Sequence, residues 1–222
     1  MKIIVIGATG GSGRATVEQL LAQGHEVTAF SRHADRIGIA SDRLHLVNGD
    51  AMDLADVEAA VRGHDAVIVT LGITENPIRV RLLGPARTPI DVRSTGTRNV
   101  IAAMQKLGVS RLVVQTTYGV GDTRDRLGFL DGLFFALLLK PQIADTEVQN
   151  QLVRDSGLEW VIAQPVHLTD DARDVGPFVS ITGETGKMKV SRNSVARFLA
   201  CAVTSSDFVG REVAISGALE AA

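Results

Sequence analysis

The sequence predicts an α/β fold in which a parallel sheet is covered by helices on both faces, and three observations support this. Short apolar segments alternate with segments of helical period almost to residue 165, an alternation typical of parallel sheets. The strand candidates are apolar at nearly every position, as expected of strands buried on both faces. The first candidate, Ile3–Ile6, leads into glycines at 7, 10 and 13 and then into a helical segment. Together these features predict a Rossmann-type doubly wound parallel sheet.

The central strands and the helices between them follow in order from the apolar pattern. Strands are predicted at residues 3–6, 26–30, 44–47, 65–70, 111–116 and 158–163. Helices are predicted from Arg14 to the stop at Gly24, over 54–62 after Asp53 as N-cap, over 92–107 before Gly108, and around 145–156. Asp before a helix and Gly after it are the usual signals of the two ends.

The pattern changes after Pro165. Residues 166–189 are rich in Gly, Asp and Thr, with short strand candidates at 178–181 and 188–190. A helix over 193–203 and a strand near 212–215 follow. We interpret residues 166–222 as a small C-terminal, substrate-side elaboration of one domain that covers residues 1–222.

Composition narrows the possible partners and location. The net charge of −2 gives no basic field for nucleic acid or an anionic membrane. No segment reaches the roughly 18 apolar residues of a membrane span, and the short N-terminal apolar run does not resemble a signal peptide. We therefore expect a cytoplasmic protein that is a monomer or a homodimer.

The cysteine and histidine residues predict neither a disulfide nor a metal site. The single cysteine, Cys201, lies within the helical pattern over 193–203 and is expected to be a small core residue. The five histidines are scattered without the spacing of metal ligands. We expect no metal.

The glycine-rich segment after the first strand carries the main functional signal, with the spacing G-x-x-G-x-x-G. Small residues let the backbone turn sharply and approach a pyrophosphate, while the free N–H groups of the next helix point at the phosphates. Such a triplet also occurs in simple tight turns, but its place between a strand and a helix favours a dinucleotide site. The predicted cofactor-binding residues here are Gly7, Thr9, Gly10, Gly11, Ser12 and Gly13.

The end of the second strand predicts NADP(H) as the cofactor. Enzymes that use NAD usually place a carboxylate about 20 residues beyond the motif, where it binds the ribose 2′-hydroxyl. This chain has Ser31 and Arg32 there instead, and the guanidinium fork matches a 2′-phosphate. Arg14 and Arg36 either reinforce that site or are ordinary surface residues.

Two further strand ends complete the predicted cofactor site. Asp50 and Ala51 follow the third strand, and we expect them to border the adenine. Leu71 and Gly72 follow the fourth strand, and we expect them to pass the ribose on the nicotinamide side.

These segments together resemble the atypical short-chain dehydrogenase/reductase group that binds NAD(P)H, including its biliverdin-IXβ/flavin reductase branch and NmrA-like proteins. The resemblance covers nearly the whole chain and is specific for fold and cofactor rather than for substrate. Its matching segments are residues 7–13, 49–50, 63–72, 96–100, 156–160 and 164–167.

The chain departs from the wider superfamily at the usual proton donor. Typical members use Tyr-x-x-x-Lys, in which a phenol protonates a carbonyl and the lysine lowers the pKa of that phenol. The single tyrosine here is Tyr118, and the residue four positions later is Asp122. The sequence therefore predicts that the alcohol–carbonyl dyad is absent, as it is in the flavin/biliverdin branch.

The resemblance implies which residues lie near the nicotinamide and the substrate. Thr117, where relatives usually have serine, is the candidate catalytic hydroxyl, and its neighbour Thr116 is expected at the cofactor. Pro165 is expected to border the nicotinamide, and His167 is the second candidate catalytic residue. The alternatives are strand-end packing for Thr117 and a structural role for His167. A histidine frequent in relatives is replaced here by Thr146.

Two segments near the expected pocket are unusual. Residues 127–140 are rich in leucine and phenylalanine. Three structures are consistent with this composition: an apolar wall over the substrate pocket, a subunit interface or a core-packed helix. The insertion with Arg79, Arg81 and Arg87 either attracts an anionic substrate or is a solvated loop.

Two functions remain open from the sequence. The first is an NADPH-dependent reductase that passes hydride to a small conjugated or aromatic acceptor such as a flavin, a quinone or a biliverdin-like molecule. The second is a redox sensor that binds NADP(H) without turnover, in the manner of NmrA-like regulators. A sugar-nucleotide epimerase or dehydratase is disfavoured, because it needs the missing tyrosine dyad.

Overall fold

The architecture is an eight-stranded, mostly parallel sheet with helices on both faces. It is seen in a computed structural model that describes residues 1–73, 75, 84, 86, 88–126, 140–171 and 176–218. The strands are β1 (Lys2–Ile6), β2 (Glu26–Ser31), β3 (Leu44–Asn48), β4 (Ala66–Val69), β5 (Arg111–Gln115), β6 (Glu159–Pro165), β7 (His167–Thr169), β8 (Pro177–Ser180), β9 (Lys189–Ser191) and β10 (Arg211–Gly217).

The strand order creates a crevice at the carboxyl ends of the central strands. The order is β3-β2-β1-β4-β5-β6-β10-β8, and only β8 is antiparallel to its neighbour. The chain moves outward from β1 to β3, then returns to the other side of β1 with β4. Ligands of open α/β sheets bind at this reversal, outside the carboxyl ends of the strands. The short strands β7 and β9 pair in a separate two-stranded sheet.

Among the described residues, five α-helices cover the two faces, and their positions confirm the doubly wound fold. They are α1 (Gly11–Ala22), α2 (Leu54–Val61), α3 (Val92–Leu107), α4 (Lys140–Arg154) and α5 (Arg192–Thr204). Helices α1 and α5 pack together on one face, while α3 lies between α2 and α4 on the other. Across the described ranges, none of the helices is long and apolar enough to span a bilayer.

The first strand shows why its sequence is apolar at every position. Ile3 and Val5 belong to the core under α1 and α5, whereas Ile4 and Ile6 belong to the core on the opposite face. All four side chains are fully buried, and each contributes about 1.5–3 kcal/mol through burial. A strand buried on both faces cannot show polar–apolar alternation.

The predicted helix limits agree with the structure where the capping residue is adjacent in sequence to the end of the helix. The Asp53 carboxylate accepts from the N–H groups of Ala55, at 2.8 Å, and Asp56, as predicted for an N-cap. The helix α3 has the predicted limits, and Gly108 ends it in the left-handed conformation with φ +73°. The helix α1 begins three residues earlier than predicted, because Gly11–Gly13 form its first turn.

The C-terminal segment contributes a strand to the main sheet and a helix to its core. The strand β10 pairs in parallel with β6, and the buried residues of α5, such as Val195 and Leu199, join the core formed by β1. The prediction that Cys201 lies in the core was wrong, since this residue is exposed. The inward face of α5 instead holds Phe198, Leu199, Ala202 and Val203.

Candidate functional site

The glycine-rich turn has the geometry that close approach of a phosphate requires. Gly7 adopts φ +88°, which favours glycine, and its N–H donates to the Phe30 carbonyl at 2.9 Å. A Cβ atom at Gly13 would lie 2.3 Å from the Gly7 carbonyl oxygen and 2.8 Å from Oγ1 of Thr70. Gly13 therefore allows α1 to pack directly on the turn.

The N-terminus of α1 is open toward the crevice. Gly10 is the N-cap and supplies no side-chain hydrogen bond, and the first turn holds no acidic residue. The first N–H groups of a helix have no acceptor within the helix, and Gly11 and Ser12 line the pocket in front of them. This end of the helix therefore attracts an anion such as a pyrophosphate.

A single elongated pocket of about 540 Å³ follows the carboxyl edge of the sheet. It extends from the ends of β2 and β3, across the glycine-rich turn, to the ends of β4 and β5. The predicted cofactor residues that line it are Gly7, Thr9, Gly10, Gly11, Ser12, Ser31, Arg32, Asp50, Ala51, Leu71 and Gly72. The predicted residues outside this lining are Gly13, Thr116, Thr117, Pro165 and His167.

Arg32 lies at one end of the pocket, directly after β2. Its Nη2 donates to Oγ1 of Thr88 at 3.2 Å, which holds the guanidinium at the pocket wall. Ser31 accepts from the N–H of His33 at 3.3 Å. The Asp50 carboxylate accepts from the N–H of Met52 at 3.0 Å, so it stabilises its own turn beside the pocket.

The two predicted catalytic residues occupy different environments. Thr117 is half-buried, and its hydroxyl has only a long contact of 3.5 Å to the Tyr118 carbonyl. His167 is exposed on β7, whereas its neighbour Leu168 lines the pocket. Successive side chains of a strand point to opposite sides, so this short strand directs Leu168 inward.

The side chain of Tyr118 is buried and hydrogen-bonded within the protein. Its ring is 3 % exposed, and its hydroxyl donates to the Gly183 carbonyl at 3.0 Å. Burial raises the pKa of this phenol above its ordinary value, opposed by the charge of Arg126. The phenol therefore stays neutral and links the loop after β5 to the segment before β9.

The hydroxyl of Thr146 is also engaged locally. This residue replaces the histidine that relatives often carry, and it is buried in α4. Its hydroxyl donates to the Gln142 carbonyl one turn earlier, at 2.8 Å. The apolar segment 127–140 lies outside the described residues except for Lys140, with which α4 begins, and Arg79, Arg81 and Arg87 also lie outside them.

Two pocket residues were missed by the sequence analysis because only the fold brings them there. Arg192 begins α5 and lies over the glycine-rich turn, with Nη1 at 2.5 Å from the Asp170 carboxylate. Gln115 ends β5, is buried and lines the pocket, and its Oε1 has no hydrogen-bond partner among the described residues. Gln115 was interpreted only as part of an apolar strand. No local pattern marks Arg192.

A third missed residue is Arg93, in the first turn of α3. Its side chain lines the pocket beside Gly72. Within the described part of the chain, no group of three or more His, Cys, Asp and Glu side chains is placed to hold a metal ion.

Comparison with known families and proteins identifies the family of the chain. The sequence model of a family described as NAD(P)H-binding matches residues 7–206. A Streptomyces griseus (4-alkanoyl-5-oxo-2,5-dihydrofuran-3-yl)methyl phosphate reductase is 27 % identical over 223 residues, covering 97 % of this chain and 67 % of that protein. A chloroplastic Arabidopsis thaliana protein is 29 % identical over 176 residues, covering 77 % of this chain and 60 % of that protein.

Other curated relatives match this chain over only part of their length. A 2-alkyl-3-oxoalkanoate reductase of Stenotrophomonas maltophilia is 34 % identical over 121 residues, covering 54 % of this chain. The chain spans about one third of that protein, 34 % of its length.

Solved structures share the fold over nearly the whole chain. An anaerobilin reductase from Escherichia coli O157:H7 has a TM-score of 0.76 at 23 % identity, with 100 % of both chains covered. A short-chain dehydrogenase/reductase from Veillonella parvula in complex with NADP has a TM-score of 0.78 at 15 % identity, with 97 % of this chain and 94 % of that chain covered. These similarities show the Rossmann-like fold.

Proposed function

Because the chain belongs to the NAD(P)H-binding family, we propose that it is an NADPH-dependent reductase for a small conjugated or aromatic acceptor. The acceptor class includes flavins, quinones and biliverdin-like molecules. The observation that carries the proposal is one continuous pocket, which extends from Arg32 across the glycine-rich turn to Gln115. The curated relatives that are named as reductases support the same reaction class.

The residues at three points of the pocket fit NADPH. Arg32 supplies a guanidinium for the 2′-phosphate, where an NAD enzyme would have a carboxylate. The open first turn of α1 supplies N–H groups for the pyrophosphate. The unpartnered Oε1 of Gln115 offers an acceptor to the nicotinamide carboxamide or to the substrate.

The proposed chemistry needs little from the protein beyond placing the cofactor and the acceptor next to each other. The bound cofactor supplies a hydride, and the acceptor takes up this hydride and one proton, so that it gains two electrons. Thr117 is proposed to hydrogen-bond the acceptor from the end of β5. His167 is exposed on β7. We propose that it donates a hydrogen bond to an oxygen or carboxylate of the acceptor from the solvent side. Close placement of the two reactants is the main source of rate in such a site.

The test is NADPH oxidation by the purified protein with FMN, a naphthoquinone and biliverdin as separate acceptors. We expect turnover with at least one of them. Thr117→Val should lower kcat for that acceptor by about fivefold to tenfold, the effect of one lost hydrogen bond, with unchanged affinity for NADPH. Thr116→Val is the matched control, because the neighbouring Thr116 side chain is buried whereas Thr117 is half-buried. Equal kcat values for wild type and Thr117→Val would remove Thr117 from the mechanism.

The second candidate function is a redox sensor that binds NADP(H) without turnover. It is favoured by the engaged hydroxyls of Tyr118 and Thr146, which donate to backbone carbonyls rather than into the pocket. The two functions predict different results when NADPH oxidation is measured with these acceptors. A sensor binds NADPH and NADP⁺ with different affinities and oxidises NADPH with none of the acceptors.

A further inference from the structure

Arg93 places a guanidinium on the nicotinamide side of the pocket. It lies in the first turn of α3, and a Cβ atom at Gly72 would be 2.9 Å from its Nη2. Gly72 follows β4, which lies between β1 and β5 at the strand-order reversal. The guanidinium is therefore next to the ends of β4 and β5, on the opposite side of the glycine-rich turn from Arg32.

The Arg93 guanidinium has no hydrogen bond or ion pair within the described residues, although it is half-buried. The opposite charge that acts on it is the buried carboxylate of Asp145. That carboxylate accepts from the backbone N–H of Arg93 at 3.0 Å and of Ser94 at 3.2 Å. Asp145 thereby caps α3 from a neighbouring helix, and it acts on the guanidinium through its charge rather than through a direct hydrogen bond.

Burial lowers the pKa of Arg93, and the Asp145 charge opposes this shift. An arginine remains protonated despite such a shift. A partly desolvated cation without a partner is unfavourable, and a charge-assisted pair with an anion would offset that cost. The environment of Arg93 is thus suited to a carboxylate or a phosphate.

The other arginines of the pocket are already engaged. Arg192 is paired with Asp170 over the glycine-rich turn, and Arg32 donates to Thr88. These two positions correspond to the pyrophosphate and the 2′-phosphate in the proposed function. Arg93 lies beyond both, on the side where the acceptor must meet the nicotinamide.

Two other described side chains of the pocket, Gln115 and Glu75, influence how an anion would bind there. The Gln115 carboxamide can donate as well as accept, so it can hydrogen-bond an anionic group. Glu75 also lines the pocket, and its carboxylate accepts from the N–H of Ala86 at 2.9 Å. This bond directs the carboxylate toward its own loop.

We propose that Arg93 binds a carboxylate or phosphate group of the acceptor and thereby selects anionic acceptors over neutral ones with the same reducible ring. The inference rests on the proposed reductase function for the identity of the ligand as an acceptor. The anion preference itself is a property of binding. It can be measured without turnover.

The test compares FMN with riboflavin, which share the isoalloxazine ring and differ by one phosphate. Each flavin is titrated into the NADP⁺-saturated protein, and quenching of flavin fluorescence is measured. Wild type should bind FMN at least about tenfold more tightly than riboflavin, the effect of one charge-assisted hydrogen-bonded pair. Arg93→Gln should bind both flavins equally, with riboflavin affinity unchanged. Arg93→Lys should keep part of the preference, because it retains the charge without the fork.

Arg98→Gln is the matched control, because Arg98 is an exposed arginine on the same helix. It should keep the wild-type preference for FMN. The inference is overturned if Arg93→Gln keeps that preference, or if its main defect is weaker NADP⁺ binding. Thermal unfolding of both variants identifies a folding defect, and Arg93→Lys then decides the question.

Failure of this inference differs from failure of the reductase function. Biliverdin and its dimethyl ester provide the same comparison in turnover, since the ester lacks both carboxylates. Turnover at equal rates with the acid and the ester would reject the role of Arg93 and keep the reductase. A flavin preference that depends on Arg93, with no NADPH oxidation by any acceptor, would keep the anion site and reject the reductase.

Discussion

The side chain of Arg192 lies across Gly11, so that a Cβ atom at Gly11 would be 2.8 Å from the Cδ and Nε atoms of Arg192. This contact joins the start of the C-terminal helix α5 to the glycine-rich turn near the N-terminus. The Asp170 carboxylate holds the guanidinium from the other side at 2.5 Å. The start of α5 therefore completes the lining of the pocket at the carboxyl ends of the strands.

Replacement of Arg192 is predicted to weaken both nicotinamide cofactors equally. Its guanidinium lies over the turn that would face the pyrophosphate, which NADPH and NADH share. Arg192→Gln should raise both dissociation constants about tenfold, as expected for one charge-assisted hydrogen bond. Fluorescence titration of each reduced cofactor measures this. A loss confined to NADPH would contradict the pyrophosphate assignment.

Replacement of Arg32, in contrast, is predicted to weaken the binding of NADPH selectively. Only NADPH carries the 2′-phosphate, so Arg32→Ala should raise its dissociation constant about tenfold to a hundredfold and leave NADH nearly unchanged. The same titrations provide the measurement, and Arg192→Gln serves as the comparison. Equal losses for the two cofactors would show that Arg32 does not bind the 2′-phosphate.

Gly13→Ala is predicted to destabilise the fold at the glycine-rich turn. The added Cβ would lie 2.3 Å from the Gly7 carbonyl oxygen, and such overpacking costs about 1–3 kcal/mol. Urea unfolding measures the change in the free energy of unfolding. Gly176→Ala is the control, since no atom lies within 4 Å of a Cβ built there. Similar stability of the two variants would reject close packing of α1 on the turn.

Tyr118→Phe is predicted to change stability rather than catalysis. It removes the buried hydrogen bond to Gly183 and should lower the free energy of unfolding by about 1 kcal/mol. The kcat for any acceptor should stay at the wild-type value, because the phenol does not donate into the pocket. A large loss of kcat without a loss of stability would assign Tyr118 a catalytic role.

The raised pKa of Tyr118 also predicts a pH dependence. The unfolded chain releases the phenol proton near pH 10, while the folded protein still holds it. The contribution of Tyr118 to stability is therefore complete below about pH 10 and is lost as pH rises through the folded pKa. Urea unfolding between neutral pH and pH 11 should show this loss in wild type and a smaller one in Tyr118→Phe. Parallel curves would contradict the assignment.

The sequence predicted the fold where the determining residues are neighbours in the chain. The apolar strand β1, the glycine-rich turn and the limits of α3 depend on local periodicity and on capping residues such as Gly108. The residues around the turn and Arg32 were predicted to share a site because the ends of parallel strands meet at one edge. The structure places most of them along one pocket.

The remaining features depend on contacts between distant parts of the chain. Arg192 reaches the pocket because α5 packs against α1, and no local pattern indicates this. The inward residue of β7 is Leu168 rather than His167, since a strand of three residues does not define which side faces inward. Cys201 was assigned to the core although the helical period turns it outward. Arg93 was read only as part of a helix.

The central claim is hydride transfer from NADPH, and a single-turnover experiment tests it most directly. The protein, stoichiometric NADPH and one acceptor at a time are mixed without oxygen, with FMN, a naphthoquinone and biliverdin as acceptors. Loss of reduced-nicotinamide absorbance and formation of reduced acceptor are recorded together. The account predicts that both proceed in equal amounts with at least one acceptor. Tight NADPH binding with no loss of reduced nicotinamide in any mixture would contradict it and favour the sensor.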